Sequence, residues 1–335
     1  MAVTIRDVAR HAGVSVATVS YVLNNDPRIS PETRRKVLAA IRELDYHPNS
    51  WAQGLAKRQP DIVGLLMPAP RHADPFLLEF ISGVIDVTAA HHVGLLLLHA
   101  GRGADDPPRE LLRRRVGGVI VLESRAIDPR VEWLQKRGIP FVLFGRCQNV
   151  DVSYWIDVDN VAGARMAVEH LIDLGHRRIG YIGAPLMYMF AQFRLQGYRE
   201  ALEYHGLPLI PELVREGDLT EEGGYVSAAA MLQQKERPTA ILAASDIMAR
   251  GALRAIRDQG LRVPEDVALV GFDGTPLSAY TDPPLTTVRQ PVYEIGRDVA
   301  ELLLKIIAHP DTEKTRKLIQ PTLVIRESSG RRLQQ

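Results

Sequence analysis

Cysteine is almost missing from this chain: Cys147 is the single one in 335 residues. One thiol excludes an internal disulfide framework and leaves no thiolate cluster for zinc. Long apolar runs are missing too, since no stretch reaches the roughly 18 residues needed to cross a bilayer. The opening MAVTIRDVARHAGVS mixes acid and base within its first turns, so it does not read as a secretory signal, and a cytoplasmic location is expected. The GxSxG elbow, HExxH and the P-loop are likewise absent. GRGADD, from Gly101, follows a strand-like run but lacks the third glycine of a dinucleotide loop. His91, His92, His170 and His176 have no carboxylate or cysteine at ligand spacing. No catalytic residue, metal or cofactor is expected, and an enzyme is not the expected reading.

Net charge is nearly absent, at +1, but it is unevenly placed. Through Pro60 there are nine Lys/Arg against five acids; beyond it there are 32 against 35. A small basic head on a mildly acidic body points to a polyanion at one end only. The rest of the composition, 46% hydrophobic and 24% charged, is that of a soluble globular protein of two or three domains.

Within the head, Thr4 fits an N-cap, with Asp7 favouring the first turn and Ile5, Val8 and Ala9 on one face. Gly13 permits a tight turn, Ser15 can cap a second helix, and Val19, Val22 and Leu23 face inward. A third helix opens at Ser30-Pro31 and carries Val37, Leu38, Ile41 and Leu44 at helical spacing. The outward positions of the second helix, Val16, Ala17, Thr18, Ser20 and Tyr21, are short or flat. Such side chains let a helix lie deep in a major groove, with amides near Ser15 turned to phosphate and the surrounding Arg and Lys supplying salt-dependent affinity.

Between head and body, Asn49 to Arg58 reads as one short helix. Isolated helices need roughly 12 to 15 residues to persist in water, and Gly54 costs about another 1 kcal/mol relative to alanine. This segment is expected to coil only when something holds it.

Beyond Pro60 the chain alternates strand and helix. The runs IVGLLM (62–67), VGLLLL (93–98), GGVIVL (117–122) and PFVLF (140–144) are separated by amphipathic stretches, and the rhythm restarts after Asp157 with RIGYIG, ELVRE, AILAAS and VALVGFD. Runs buried on both faces and spaced by helices imply parallel sheets, and two successive doubly wound α/β lobes fit better than one very wide sheet. Open parallel sheets bind ligands at the carboxyl ends of their strands. There stand Asp74 and Phe76, Arg146, Ser245 with Asp246, and Asp273, while Arg194 is placed at the start of the RLQGYREAL helix. Carboxylates that accept from vicinal hydroxyls, with guanidinium forks that donate, suit a polyhydroxylated ligand.

The head VTIRDVARHAGVSVATVSYVLNNDPRISPETRRKVLAAIRELDYHPN resembles that of the lactose/galactose repressor family of transcription regulators nearly position for position. The likeness continues through DNVAGARMAVEHLIDLGHRRIGYIG, FRLQGYREAL, SDIMARGALRAI, VGFDGTPLSAYTDPPLTTVRQP and LIQPTLVIRES, so it covers almost the whole chain. The resemblance implies a helix-turn-helix head at 1–48, a hinge helix and linker at 49–60, and an α/β body like that of periplasmic binding proteins. Its lobes would be 61–158 with 290–320, and 159–289 with 321–330. The implied DNA face comprises Thr4, Ser15, Val16, Ala17, Thr18, Ser20, Tyr21 and Asn24, with Asn49, Ala52 and Leu55 in the hinge. There Leu55 holds the position of a leucine that enters the minor groove when two copies meet on DNA. The implied effector contacts include Arg194, Asp246, Asp273 and Gln290.

Two departures stand out. Tyr21 replaces an arginine that reads guanine in many members, and Leu219 stands where several sugar-responsive members stack an aromatic ring; Phe76, Phe190 or Tyr188 are alternatives, as is a smaller or phosphorylated ligand. The expected protein is a homodimeric repressor that leaves a pseudo-palindromic operator on binding a sugar-like effector. A two-lobed sugar-binding protein without gene regulation, and a regulator using a non-sugar corepressor, are the rival readings.

Overall fold

The computed structural model describes residues 5–23, 26, 28–44, 60–67, 74–99, 111 and 116–330. The chain divides into two compact units, Met1–Arg58 and Gln59–Gln335.

The first unit is three helices: α1 Ile5–Ala12, α2 Val16–Leu23 and α3 Pro31–Glu43. Gly13 turns the chain between α1 and α2 at φ +67°, a left-handed conformation that costs glycine nothing. Ser15 Oγ accepts from Thr18 N at 3.0 Å to cap α2, and Ser30 Oγ accepts from Thr33 N at 3.2 Å to cap α3 behind Pro31. The core between the helices is Val8, Ala9, Val19, Val22, Val37 and Ala40. Leu38, expected inward, is 41% exposed. It follows Val37 by about 100° around the helix, which takes it off the stripe that Val37, Ala40, Ile41 and Leu44 turn to the core. Ser30→Ala should cost about 1 kcal/mol, read as several-fold faster amide exchange across α3; unchanged exchange there would show that the cap contributes nothing.

The second unit carries two six-stranded sheets. The first holds β1 Ile62–Met67, β2 Gly94–His99, β3 Val119–Val121, β4 Phe141–Phe144, β5 Tyr154–Val158 and, from far along the chain, β11 Thr315–Ile319. Its order is β11-β5-β4-β3-β1-β2, with every pair parallel. The second holds β6 Ile179–Gly183, β7 Val214–Glu216, β8 Ala240–Ala243, β9 Ala268–Asp273, β10 Thr286–Arg289 and β12 Thr322–Val324. Its order is β12-β10-β9-β8-β6-β7. β12 pairs antiparallel with β10, so this sheet departs from the all-parallel expectation at one edge.

The sheets are covered by α4 Pro75–Ala90, α5 Pro129–Lys136, α6 Asn160–Asp173, α7 Met189–Tyr204, α8 Glu221–Leu232, α9 Asp246–Asp258 and α10 Val292–Ala308. α10 returns from the second sheet to pack on α4 of the first lobe. The crossing is close: a Cβ on Gly83 would meet the Tyr293 carbonyl, and one on Gly296 the Phe80 carbonyl. In each sheet the strand order reverses once, between β1 and β3 and between β6 and β8. Those switch points are where open α/β sheets leave a crevice.

Candidate functional site

In the first unit, α2 turns Val19 and Val22 to the core and leaves Val16 42% and Tyr21 44% exposed, with Ser15 and Ala17 exposed and Thr18 and Ser20 half-buried. One helical face is therefore outward, uncharged and low in relief. Beside it, Arg28 lies 5.3 Å from the Tyr21 ring centre and forks onto Asp26, whose carboxyl it holds down near 2. Arg34 donates to the carbonyls of Val22 and Asp26, tying α3 to the end of α2. Of the expected DNA contacts, Thr4, Asn24, Asn49, Ala52 and Leu55 lie outside the described residues, as does Gly101.

In the second unit, a cavity with about 70 Å³ of enclosed space opens where the carboxyl ends of the two sheets face each other, at the place where open α/β sheets take small molecules. Its walls come from residues that follow strands: Leu122, Glu123 and Ser124 after β3, Phe144 and Gly145 at β4, Asp157 on β5, Leu219 after β7, Ser245 after β8, Asp273 on β9 and Gln290 after β10. Asp74 and Phe76 enter from the start of α4, where Asp74 caps the helix through Phe76 N.

Arg194 reaches into this space from the second turn of α7, with only 5% of its surface exposed. The helix begins at Met189, five residues before its expected start, so Arg194 lies inside it. Its Nε donates to Asn160 Oδ1 at 2.8 Å, and Nη1 donates to the Ala244 carbonyl and to Asp273 Oδ1 at 3.4 Å. The Phe272 ring centre lies 3.6 Å from the guanidinium carbon and that of Phe190 4.9 Å away, so the cation is held over aromatic faces. Asp273 also accepts from Gln290 Nε2 at 2.8 Å. Burial, aided by Asp246 and Asp74 and opposed by Arg194, pushes its carboxyl up to about 8. Asp157 is raised by burial as well, against the pull of Arg146, whose Nε donates to it at 2.7 Å.

Two expected contacts stand behind the wall. Arg146 spends its Nε on Asp157 and lies 4.0 Å from the Phe193 ring centre. Asp246 is wholly internal: Oδ2 accepts from Thr275 N at 2.7 Å and Thr275 Oγ1 at 2.9 Å, and Oδ1 from Thr287 Oγ1 at 2.5 Å. It therefore braces the turn after Asp273, with its carboxyl raised by burial to about 6. The other seven, Asp74, Phe76, Arg194, Leu219, Ser245, Asp273 and Gln290, share the cavity. Of the three candidate rings, Phe76 and Phe190 line it, whereas Tyr188 stacks behind Phe190 at 5.6 Å.

Sequence reading passed over Leu122, Glu123, Ser124, Phe144, Gly145, Asp157, Asn160 and Ile247 as lining residues. The strand-end rule would have found Glu123 and Ser124 directly after GGVIVL. Four described residues other than glycine have positive φ, and three of them, Glu123 (50°), Leu219 (64°) and Asp273 (112°), line the cavity. Backbone held in such regions costs on the order of 1–3 kcal/mol per residue and gathers at ligand sites.

An outward, groove-sized helix in one unit and a two-lobed cleft lined by buried polar side chains in the other define a ligand-responsive DNA-binding protein. Residues 4–49 match the bacterial regulatory proteins of the lacI family, and residues 168–329 match the periplasmic binding protein-like domain. The HTH-type transcriptional regulator CelR of Thermobifida fusca is 38% identical over 334 residues, covering 97% of this chain and 98% of CelR. Among solved structures, a Lac repressor dimer bound to operator and the anti-inducer ONPF has a TM-score of 0.88 at 30% identity, covering 98% of this chain and all of that one. A CelR–cellobiose complex has a TM-score of 0.74 at 36% identity, covering 97% and 99%. The chain belongs to the lacI family and is a transcription regulator. Among the described residues, no helix is long and apolar enough to cross a membrane.

Proposed function

We propose that this regulator is a cytoplasmic homodimeric repressor of carbohydrate-utilisation genes, released from a pseudo-palindromic operator when an uncharged sugar fills the cleft, which binds without turning its ligand over. The observation that carries the reading is the Arg194–Asp273–Gln290 cluster set among Phe76, Phe144 and Phe190 in one cavity. Carboxylates and amides accept and donate to vicinal hydroxyls, and flat rings cover a pyranose face. The described lining places Asp74, Glu123, Asp157 and Asp273 around the single guanidinium of Arg194, whose Nε and Nη1 are already directed at protein acceptors. That balance favours a neutral hydroxyl-rich ligand over a phosphorylated one, and the cellobiose seen in the CelR complex is of this kind.

In this reading the domain limits are those expected from the sequence: a head at 1–48, a hinge at 49–60, and two lobes that exchange segments near Asp157, Arg289 and Gln320. Two copies set their α2 helices about one DNA turn apart. Closure of the lobes shifts the hinge segments, and operator and effector weaken each other by one common factor, typically about 5- to 150-fold.

Calorimetric titration of the full chain with cellobiose, glucose and their phosphates, followed by operator titrations with and without the sugar that binds, tests this directly. Heat only with phosphorylated sugars would overturn the effector class, and tighter operator binding with sugar would reverse the sign. Leu55→Ala should weaken operator binding at fixed salt by at least tenfold and leave sugar affinity unchanged. Removing an apolar wedge gives up the bend whose wider contact offsets a few kcal/mol of unstacking. Equal operator affinity for the two proteins would refute the wedge.

A further inference from the structure

Two backbone hydrogen bonds join the lobes across the cavity. Ala126 N donates to Met187 O at 3.0 Å and Met189 N donates to Ser124 O at 3.1 Å, making Arg125 and Tyr188 an antiparallel bridge. Residues 124–126 leave the end of β3 in the first lobe, and residues 187–189 lead into α7 in the second. Lining residues flank the bridge on both sides, Glu123 and Ser124 before it and Phe190 and Arg194 after it.

The first-lobe half of the bridge is fixed from behind. Arg130 and Asp128 are both fully buried, and their carboxylate–guanidinium fork closes at 2.9 Å (Nε to Oδ1) and 2.7 Å (Nη2 to Oδ2). The same Nη2 donates to the Leu122 and Glu123 carbonyls at 3.4 and 3.1 Å, and Asp128 Oδ2 accepts from Arg125 N at 3.1 Å. The neighbouring loop adds Ser124 Oγ to the Arg146 carbonyl and Gln148 N to the Ala126 carbonyl, each at 2.8 Å. A buried ion pair is a poor source of net stability, because desolvation offsets most of its attraction. This one instead organises three backbone groups, the Leu122 and Glu123 carbonyls and the Arg125 amide, on the run that ends in the bridge.

We infer that residues 124–126 and 187–189 form a latch holding the cleft shut, and that Asp128 and Arg130, which do not line the cavity, are positioning residues that keep it in register. The link to effector affinity rests on the cavity being the effector site; the latch itself does not. An effector that touches Ser124 and Phe190 meets a wall already assembled from both lobes, and loosening the latch removes that preorganisation.

Ala126→Pro deletes one cross-lobe donor at a position whose preceding residue is already extended, as proline requires. Arg130→Lys keeps the charge and loses the fork. In the full chain without ligand, both should raise amide exchange at least tenfold in the peptide spanning Tyr188 to Gln192 while leaving α9 unchanged. The lone thiol gives a second readout. Burial raises Cys147 to about 11, and the adjoining backbone is pinned by the Ala126 carbonyl, so its reaction with an aromatic disulfide should quicken in both variants. Unchanged exchange at Met189 and unchanged thiol reactivity in a folded Ala126→Pro protein would overturn the latch. Where the parent binds cellobiose, the variants should bind it at least tenfold more weakly, and equal affinity would remove the positioning role. A parent that binds no sugar defeats the effector reading alone, since neither ligand-free readout depends on it.

Discussion

Arg194→Met should lower effector affinity by at least a hundredfold while leaving operator binding without effector in place. The methionine keeps a long unbranched side chain, but the cation over Phe272 and every polar link of the guanidinium go at once: to Asn160, to the Ala244 carbonyl and to Asp273. Removing one member of a buried pair costs about 3–5 kcal/mol when the remaining charge has no relief. Here Asp273 has relief, because its carboxyl already favours the protonated form. The lost charge therefore shows mainly as lost recognition: without Arg194 the carboxyl of Asp273 is harder still to ionise, and a neutral carboxyl accepts a ligand hydroxyl more weakly than a carboxylate does. Calorimetry with the cognate sugar and a parallel operator titration check both halves. Effector affinity within threefold of the parent would remove Arg194 from the recognition set.

The second large effect is on pH. With its carboxyl near 8, Asp273 carries a proton at neutral pH in the empty protein. A sugar hydroxyl donates to the ionised carboxylate, so binding favours loss of that proton. Affinity should fall about tenfold per pH unit below 8, since one unit is about 1.4 kcal/mol between protonation states. Folding stability should move the other way. The unfolded carboxyl ionises near 4, as free aspartate does, so between about 4 and 8 the folded chain holds a proton that the unfolded chain has lost. The stabilisation is complete below the lower value and disappears as pH rises through the upper one. Titrations between pH 6 and 9 in buffers of different ionisation heat should show proton release that Asp273→Asn abolishes, together with a flatter dependence of melting temperature on pH. A parent protein with flat affinity across that range would exclude Asp273 as the titrating acceptor.

How much of this was legible beforehand depended on burial. IVGLLM gave β1 at its observed bounds because both faces are covered and the run is uninterrupted. β5, YWIDV, was missed because an aspartate interrupts its apolar run, and β11, TRKLI, because it is a charged, exposed edge. Losing β5 hid Asp157 and Asn160 as cavity walls. Position after a strand located Ser245 and Asp246 together, yet only Ser245 faces the cavity. Ser245 is the extended N-cap and Asp246 the first helical residue, and the change of backbone between them turns the carboxylate to Thr275 and Thr287. Spacing along the chain carries no such angle. Nor does it reveal the bridge at Arg125 and Tyr188, whose partners are 63 residues apart and lack the alternating pattern of a strand pair.

The exchange of segments between the lobes bears on how the protein is made. The first sheet receives its edge strand β11 only at Thr315–Ile319, and α10, which covers α4, spans Val292–Ala308. The second sheet awaits β12 at Thr322–Val324. A nascent chain extended only as far as Gln290 therefore holds neither half in finished form, and α4 must wait for α10, some two hundred residues downstream. Contacts of such long range slow folding. Both halves of the body consequently mature almost together, once the segment from Val292 to Val324 has emerged.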